Sequence, residues 1–149
     1  MSRLFIIITA VLCSLQACTP HPEHVVPATH PLVIYPEYQE VTIPYNIAPL
    51  NFLLRNEHVD AVAVTVKGNT DSLCVNARGN QVVFPMKKWR VLLEAEKGNL
   101  LSVAVVARSN GQWSSYPPFT LKVAADRLDA YISYRLIEPG YEVWNALQL

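Results

Sequence analysis

The chain has 149 residues, a length that fits one globular domain, and its 12 Lys and Arg residues balance its 12 Asp and Glu residues. A formal net charge of zero, without a basic run, argues against the nucleic-acid-binding class, so we expect no nucleic acid partner. The sequence has no Gly-rich phosphate loop, no Cys-x-x-Cys pair and no haem-attachment motif, and it therefore predicts no cofactor and no metal site.

Residues 1–17 have the layout of a bacterial export signal. A basic start precedes an apolar run over 4–12, which is much shorter than the roughly 20 residues that cross a bilayer as a helix. Two residues further on, the tetrapeptide Leu15-Gln16-Ala17-Cys18 resembles the lipobox of bacterial lipoproteins, whose cysteine is diacylated and becomes the mature N-terminus. We therefore expect Cys18 to be the lipid attachment site. The alternative is an ordinary secretory signal with an incidental cysteine.

Residues 18–31 are rich in proline and predict a tether between the lipid and the folded domain. Proline removes backbone donors and holds the chain extended. Three histidines in this stretch raise the alternative of a metal-binding tract, namely His21, His24 and His30. Imidazoles on a flexible arm are not preorganised around an ion, so we interpret the segment as a spacer.

After removal of residues 1–17, the remaining cysteines are Cys18 and Cys74. Because the first is expected to carry lipid, no internal disulfide is available. An exposed unpaired thiol is a liability in an oxidising compartment. We therefore expect Cys74 to be a free thiol that is buried between Leu73 and Val75.

Residues 32–140 predict a mainly β domain, an immunoglobulin-like two-layer antiparallel β-sandwich with one short helix. Short segments of alternating apolar residues are separated by turn signals throughout this stretch. Three consecutive segments predict an antiparallel meander, at 62–66, 73–77 and 81–84. Asn110-Gly111 predicts a tight hairpin, because both central residues of such a turn need positive φ.

The helix is predicted over 85–97. Pro85 suits the first helical position, and Gly98 suits the residue beyond the end. Apolar residues recur at three- and four-residue spacing, at Met86, Trp89, Leu92 and Leu93. We expect the helix to cover the sheet through Trp89; the alternative is that this ring is a ligand platform.

No pattern in the folded part predicts a catalytic nucleophile with its base, so we expect a protein that is not an enzyme. His58 lies in a polar turn and is interpreted as a solvated loop residue. Cys74 has no basic neighbour in sequence that would activate it. Asp126 and Asp129 precede a predicted strand and suit a turn better than a pair of catalytic carboxylates.

Aromatic residues near the predicted hairpin are the candidate ligand contacts. Trp113 and Tyr116 stand close together in sequence, and such rings bind sugars or protein partners through flat apolar faces. The alternative is that these rings belong to the core and stabilise the ends of strands.

Several segments occur in an order found in one family. They read Ile-Tyr-Pro-Glu-Tyr at 34–38, Val-Thr-Ile-Pro-Tyr-Asn-Ile-Ala-Pro-Leu-Asn-Phe at 41–52, Phe-Pro-Met-Lys-Lys-Trp at 84–89 and Tyr-Arg-Leu-Ile-Glu-Pro-Gly-Tyr at 134–141. From about residue 32 onward the chain resembles the N-terminal region of Bacteroidetes lipoproteins described as TolB-like or cytochrome c biosynthesis proteins. The resemblance implies a β-rich lead-in, then a connecting helix, a Cys-x-x-Cys-His haem segment and a β-propeller. Residues 141–149 match only the start of that helix, so we expect a truncated relative and carry over neither the haem nor the propeller function.

The sequence thus predicts a lipid-anchored, non-catalytic interaction module of the cell envelope. Thr19 follows the lipidated cysteine and no acidic run comes after it, which favours the outer membrane, with the domain facing the periplasm. The expected partners are the membrane, through the lipid, and an envelope protein or polysaccharide. The alternative function is a glycan-binding module that uses Trp113 and Tyr116.

Overall fold

The computed structural model describes residues 22, 24–55 and 58–131, which fold into two β-sheets around a shared apolar core, with one short helix. The predicted mainly β sandwich is therefore confirmed. The predicted signal, Cys18, His21 and the helix predicted from 141 lie outside the described residues. Within the described ranges, no helix is long and apolar enough to cross a membrane.

The described strands are mostly short, and the helix lies between the seventh and eighth. Their bounds are β1 (Val26–Pro27), β2 (Ile34–Tyr35), β3 (Val41–Pro44), β4 (Phe52–Leu54), β5 (Ala61–Lys67), β6 (Ser72–Arg78), β7 (Gln81–Val82), α1 (Met86–Ala95), β8 (Leu100–Ser109), β9 (Gln112–Ser115) and β10 (Phe119–Ala124).

The larger sheet is built around β8. One edge of β8 pairs antiparallel with β5, which in turn pairs with β6 on its far side. The other edge pairs with β9 and then with β10, so these two strands lie end to end along β8. Beyond them, β1 and β3 pair in parallel with β9 and β10. These two parallel pairings are exceptions in sheets that are otherwise antiparallel, as predicted. They arise because β1 and β3 reach their neighbours from distant parts of the chain, without hairpin turns.

The smaller sheet has the order β2, β4, β7, and both of its pairings are antiparallel. The predicted meander is therefore wrong at its third strand, because β7 pairs with β4 and not with β6. Asn80 gives the physical reason. Its side-chain Nδ2 donates to the Leu54 carbonyl at 3.0 Å, and its own carbonyl accepts from the Leu54 N–H at 2.9 Å. These two bonds hold Asn80 beside β4, so that β7, which follows directly, joins the smaller sheet.

Helix α1 covers the core as expected, with Trp89, Leu92 and Leu93 buried. The Trp89 ring stacks on Phe84 with ring centroids 5.1 Å apart, so it is a core residue and not a ligand platform. Met86 is 44% exposed, so the buried stripe begins one turn later than predicted.

The hairpin predicted from Asn110-Gly111 is confirmed. Both residues have positive φ, 50° and 81°, and Ser109 pairs directly with Gln112 across the turn. A side chain at Gly111 would be strained in this backbone region, which is why the dipeptide is so informative.

Candidate functional site

The two candidate aromatic residues lie on opposite faces of the larger sheet. Trp113 pairs with Arg108 on the outer face, which we define as the face turned away from the core, and the Arg108 Cζ lies 5.7 Å from the centre of its ring. The Tyr116 N–H donates to Val105, and its side chain belongs to the core, where burial raises its pKa. Their exposed fractions are 5% and 7%. One flat ligand therefore cannot contact both rings, which corrects the site proposed for Trp113 and Tyr116.

The expected burial of Cys74 is wrong. Its thiol lies on the outer face and is exposed, with Sγ 3.6 Å from the Thr65 hydroxyl. Leu73 is buried on the other side of the strand, and Val75 is half-buried against the core. Successive residues of a strand point to opposite faces, so two core-facing neighbours place the residue between them outside.

The other polar candidates are dispersed. His58 is exposed, with its Nε2 3.3 Å from the Asp60 carboxylate. Asp126 and Asp129 are both exposed after β10. Within the part of the chain that the structure covers, no three His, Cys, Asp or Glu side chains group around a common metal position.

Part of the predicted tether packs on the domain. Val26–Pro27 forms β1 beside β9, and the Ala28 N–H donates to the Ser115 carbonyl at 2.9 Å. The His24 carbonyl accepts a hydrogen bond from the Gln112 side chain at 2.8 Å. The His30 ring lies 5.8 Å from that of Tyr116. The spacer interpretation of residues 18–31 is therefore too broad at its C-terminal end.

Sequence reasoning missed a buried carboxylate at the end of α1. Glu96 is fully buried, and its Oε1 accepts hydrogen bonds from the Thr70 hydroxyl at 2.6 Å, the Thr70 N–H at 2.7 Å and the Asp71 N–H at 3.2 Å. Its Oε2 accepts from the Asn99 side chain at 3.1 Å. These bonds, led by the Thr70 hydroxyl, lower the pKa of Glu96 to about 2, although burial opposes them. We call this arrangement the Glu96 latch.

The Glu96 latch needs glycine at position 68. A Cβ built on Gly68 would lie 2.3 Å from the Glu96 Cδ and 2.5 Å from its Oε1. The sequence contains one signal for this site, since a glutamate at a helix C-terminus is unfavourable to the helix dipole and calls for a compensating partner. The partner loop is distant in sequence and could not be identified from that signal.

A second carboxylate holds β3. Glu40 has a φ of 57°, and its N–H donates to the Thr120 carbonyl at 3.0 Å. Its two carboxylate oxygens accept from the Thr120 N–H at 2.8 Å and from the Thr120 hydroxyl at 2.7 Å. The hydroxyl bond, followed by the backbone bond, lowers the pKa of Glu40. We call this the Glu40 lock.

A basic groove lies between α1 and the start of β6. It has a volume of about 350 Å³ and is lined by Asp71, Ser72, Lys87, Lys88 and Val91. The two lysines belong to the first turn of the helix, and both are exposed. This groove is the candidate binding surface that the sequence did not indicate.

Comparison with known proteins gives no match among protein-family models, curated proteins or solved structures.

Proposed function

We propose that this protein is a lipid-anchored module of the bacterial cell envelope that binds another envelope component and does not catalyse a reaction. The observation that carries the proposal is Leu15-Gln16-Ala17-Cys18, placed two residues after a short apolar run and ahead of a β-sandwich. Each acyl CH₂ group contributes about 0.8 kcal/mol on burial in a bilayer, so two acyl chains anchor a protein stably.

The arrangement of polar groups supports binding over catalysis. The carboxylates of Glu96 and Glu40 are engaged by backbone N–H groups and threonine hydroxyls, which assigns them to holding loops. The apolar cavity between the sheets measures about 10 Å³, which is room for about one water molecule and too little for a substrate. The basic groove beside β6 is open and is lined by charged and hydroxyl side chains together with Val91, as suits a macromolecular partner.

We place the module at the outer membrane, facing the periplasm, because Thr19 follows Cys18 without an acidic run. The resemblance to the N-terminal region of TolB-like lipoproteins supports the same location in the cell envelope. A protein of the envelope is the partner we favour. Polysaccharide capture by Trp113 and Tyr116 together loses its support, since the two rings face opposite sides of the sheet.

Lipid attachment is tested by expressing the full chain in a bacterium with labelled palmitate. We expect label in the wild type, a mature mass equal to residues 18–149 plus the lipid, and recovery in the membrane fraction. Cys18→Ala should lose label, processing and membrane recovery together. Cys13→Ala and Cys74→Ala are matched controls, which should keep all three. A wild type that is cut without gaining lipid mass would contradict the proposal and identify an ordinary secretory signal.

A further inference from the structure

Among the described strands, β6 is the outermost on its side of the larger sheet. It pairs with β5 residue by residue from Ser72 to Arg78 without a bulge, and no other described strand pairs with it. The side chains of Cys74 and Asn76 on this strand are exposed. A regular seven-residue edge of this kind presents a row of backbone donors and acceptors for another strand.

Hydrogen bonds at the two ends of the β5–β6 hairpin show which groups point outward. The Gly68 N–H donates to the Asp71 carbonyl at one end, and the Gly79 N–H donates to the Asp60 carbonyl at the other. Because the N–H and C=O groups of successive residues point to alternate sides of a strand, the backbone groups of the odd-numbered residues of β6 point toward β5. The N–H and C=O groups of Cys74, Asn76 and Arg78 therefore point away from the sheet.

The other described edges are protected. β1 and β7 have two residues each, and β1 contains Pro27. β2 also has two residues and is followed by Pro36, while β3 ends in Pro44 and is held by the Glu40 lock. Short strands and prolines are the usual means by which proteins prevent unwanted strand pairing. β6 contains neither device, and along Cys74, Asn76 and Arg78 no described strand pairs with its outer side.

The surroundings of this edge are basic. Lys87 and Lys88 line the groove beside Ser72, and Arg78 is exposed at the other end of the strand. The one acidic residue lining the groove is Asp71, whose carboxylate accepts the Ser72 N–H at 2.7 Å and so covers the first position of the edge. A partner strand that carries carboxylates would meet the unengaged cations.

We propose that β6 binds an extended acidic segment of a partner protein, which joins the larger sheet as an additional antiparallel strand. Cys74, Asn76 and Arg78 would each exchange two backbone hydrogen bonds with the residue opposite. Carboxylates of the partner would contact Lys87 and Lys88 in the groove. The inference deepens the proposed function, since it names the partner class of the envelope module, but its test does not depend on lipid attachment.

A second copy of the chain fits this edge less well. In a symmetric antiparallel pair of β6 strands, Arg78 of one copy lies at the Ser72 end of the other. Lys87 and Lys88 line that end, so the pair would bring like charges together. Charge complementarity therefore favours an acidic partner.

The test uses the purified full chain in detergent and a labelled seven-residue peptide that alternates threonine with glutamate, with blocked ends. We expect binding, measured by fluorescence anisotropy, that weakens as salt is raised, together with slower amide exchange at Cys74, Asn76 and Arg78. The peptide that alternates threonine with lysine is the matched control and should not bind. Absence of binding by the acidic peptide at about millimolar concentration would overturn the proposal.

Two variants separate strand addition from general charge attraction. Asn76→Pro removes an outward N–H and leaves the β5 ladder intact, and it should weaken binding about tenfold or more. Lys87→Glu with Lys88→Glu should do the same without touching the backbone, whereas Arg90→Glu, on the same helix but outside the groove lining, should bind normally. Equal binding by the proline variant, or salt-independent dimers in sedimentation that the proline abolishes, would refute the acidic strand.

Discussion

The larger sheet has two similar glutamate–threonine pairs, one at each of two opposite sides. In each pair the carboxylate accepts hydrogen bonds from both the backbone N–H and the hydroxyl of one threonine. Glu40 binds Thr120 in this way beside β3, and Glu96 binds Thr70 at the turn before β6. The first carboxylate belongs to an exposed residue, and the second to a residue that is fully buried. Both have a lowered pKa, for the same reason.

The difference lies in what each carboxylate joins. The Glu40 lock connects β3 to its neighbour β10, so it fastens the last strand on that side of the sheet. The Glu96 latch connects the β5–β6 turn to the end of α1, so it fastens the turn beside a strand whose outer side pairs with no described strand. The same hydrogen-bonding device therefore fastens β3 to β10 in one place and holds the turn that precedes β6 in the other.

The largest loss of stability is expected for a substitution at Gly68, the residue that lies against the Glu96 carboxylate. Gly68→Ala places a methyl group 2.3 Å from the Glu96 Cδ, so the buried carboxylate must move away from Thr70. We expect a loss of about 1–3 kcal/mol in the free energy of unfolding, measured by urea titration. Gly79→Ala is a poor control because of its positive φ, whereas Asn69→Ala in the same exposed turn should cost less. A Gly68→Ala protein as stable as wild type would show that the Glu96 carboxylate can move away from Thr70 without loss of stability.

Glu96→Gln should lower the melting temperature at neutral pH, because an amide cannot accept all the hydrogen bonds that the carboxylate accepts. The pKa of Glu96 in the folded protein, about 2, lies below its ordinary value of 4.5. Its stabilisation is therefore present above pH 4.5 and is lost as the pH falls toward 2. The difference in melting temperature between wild type and Glu96→Gln should narrow over that range. A difference that does not change with pH would contradict the assigned hydrogen bonds.

Glu40→Gln should also lower the melting temperature at neutral pH, but by less than Glu96→Gln, because water weakens the interactions of an exposed carboxylate. The pKa of Glu40 is lowered, so its contribution also disappears as the solution becomes acidic. Amide exchange should become faster at Thr120, whose N–H donates to this carboxylate, and stay unchanged in β6. Faster exchange in β6 as well would show that the two edges are not independent.

The smallest effect on stability is expected at Cys74. Since its side chain is exposed on β6, Cys74→Ser should change the free energy of unfolding by no more than about 0.5 kcal/mol. The native protein should react with a thiol reagent at Cys74 as fast as the denatured protein does. Strong protection in the native state would restore the buried position expected from the sequence.

Local signals predicted the local structure well. The Asn110-Gly111 turn, the alternating strands β5 and β8 and the helix after Pro85 were all predictable, because each depends on residues adjacent in sequence. The pairing of β3 with β10 and the move of β7 to the smaller sheet depend on residues far apart in sequence. No periodicity carries that information.

The candidate site was harder to predict than the fold. Glu96 meets Thr70 across 26 positions of the chain, and its role appears only once the loop and the helix end are brought together. Trp113 and Tyr116 are close in sequence, yet three positions along an extended chain place them on opposite sides of a sheet. The basic edge of β6 could not be predicted from the sequence, because it depends on the pairing of β6 with β5 and on the position of Lys87 and Lys88 beside Ser72.

The pairing of β1 with β9 fixes where the chain leaves the sheet on its way to Cys18. Eight residues of extended chain from that cysteine to Val26 span at most about 29 Å, so a lipid there would hold the β1 side of the domain near the headgroups. β6 lies four strand spacings away, or about 19 Å. An acylated protein would therefore carry β6 on the side of the sheet away from its anchor, where a partner in the periplasm can reach it.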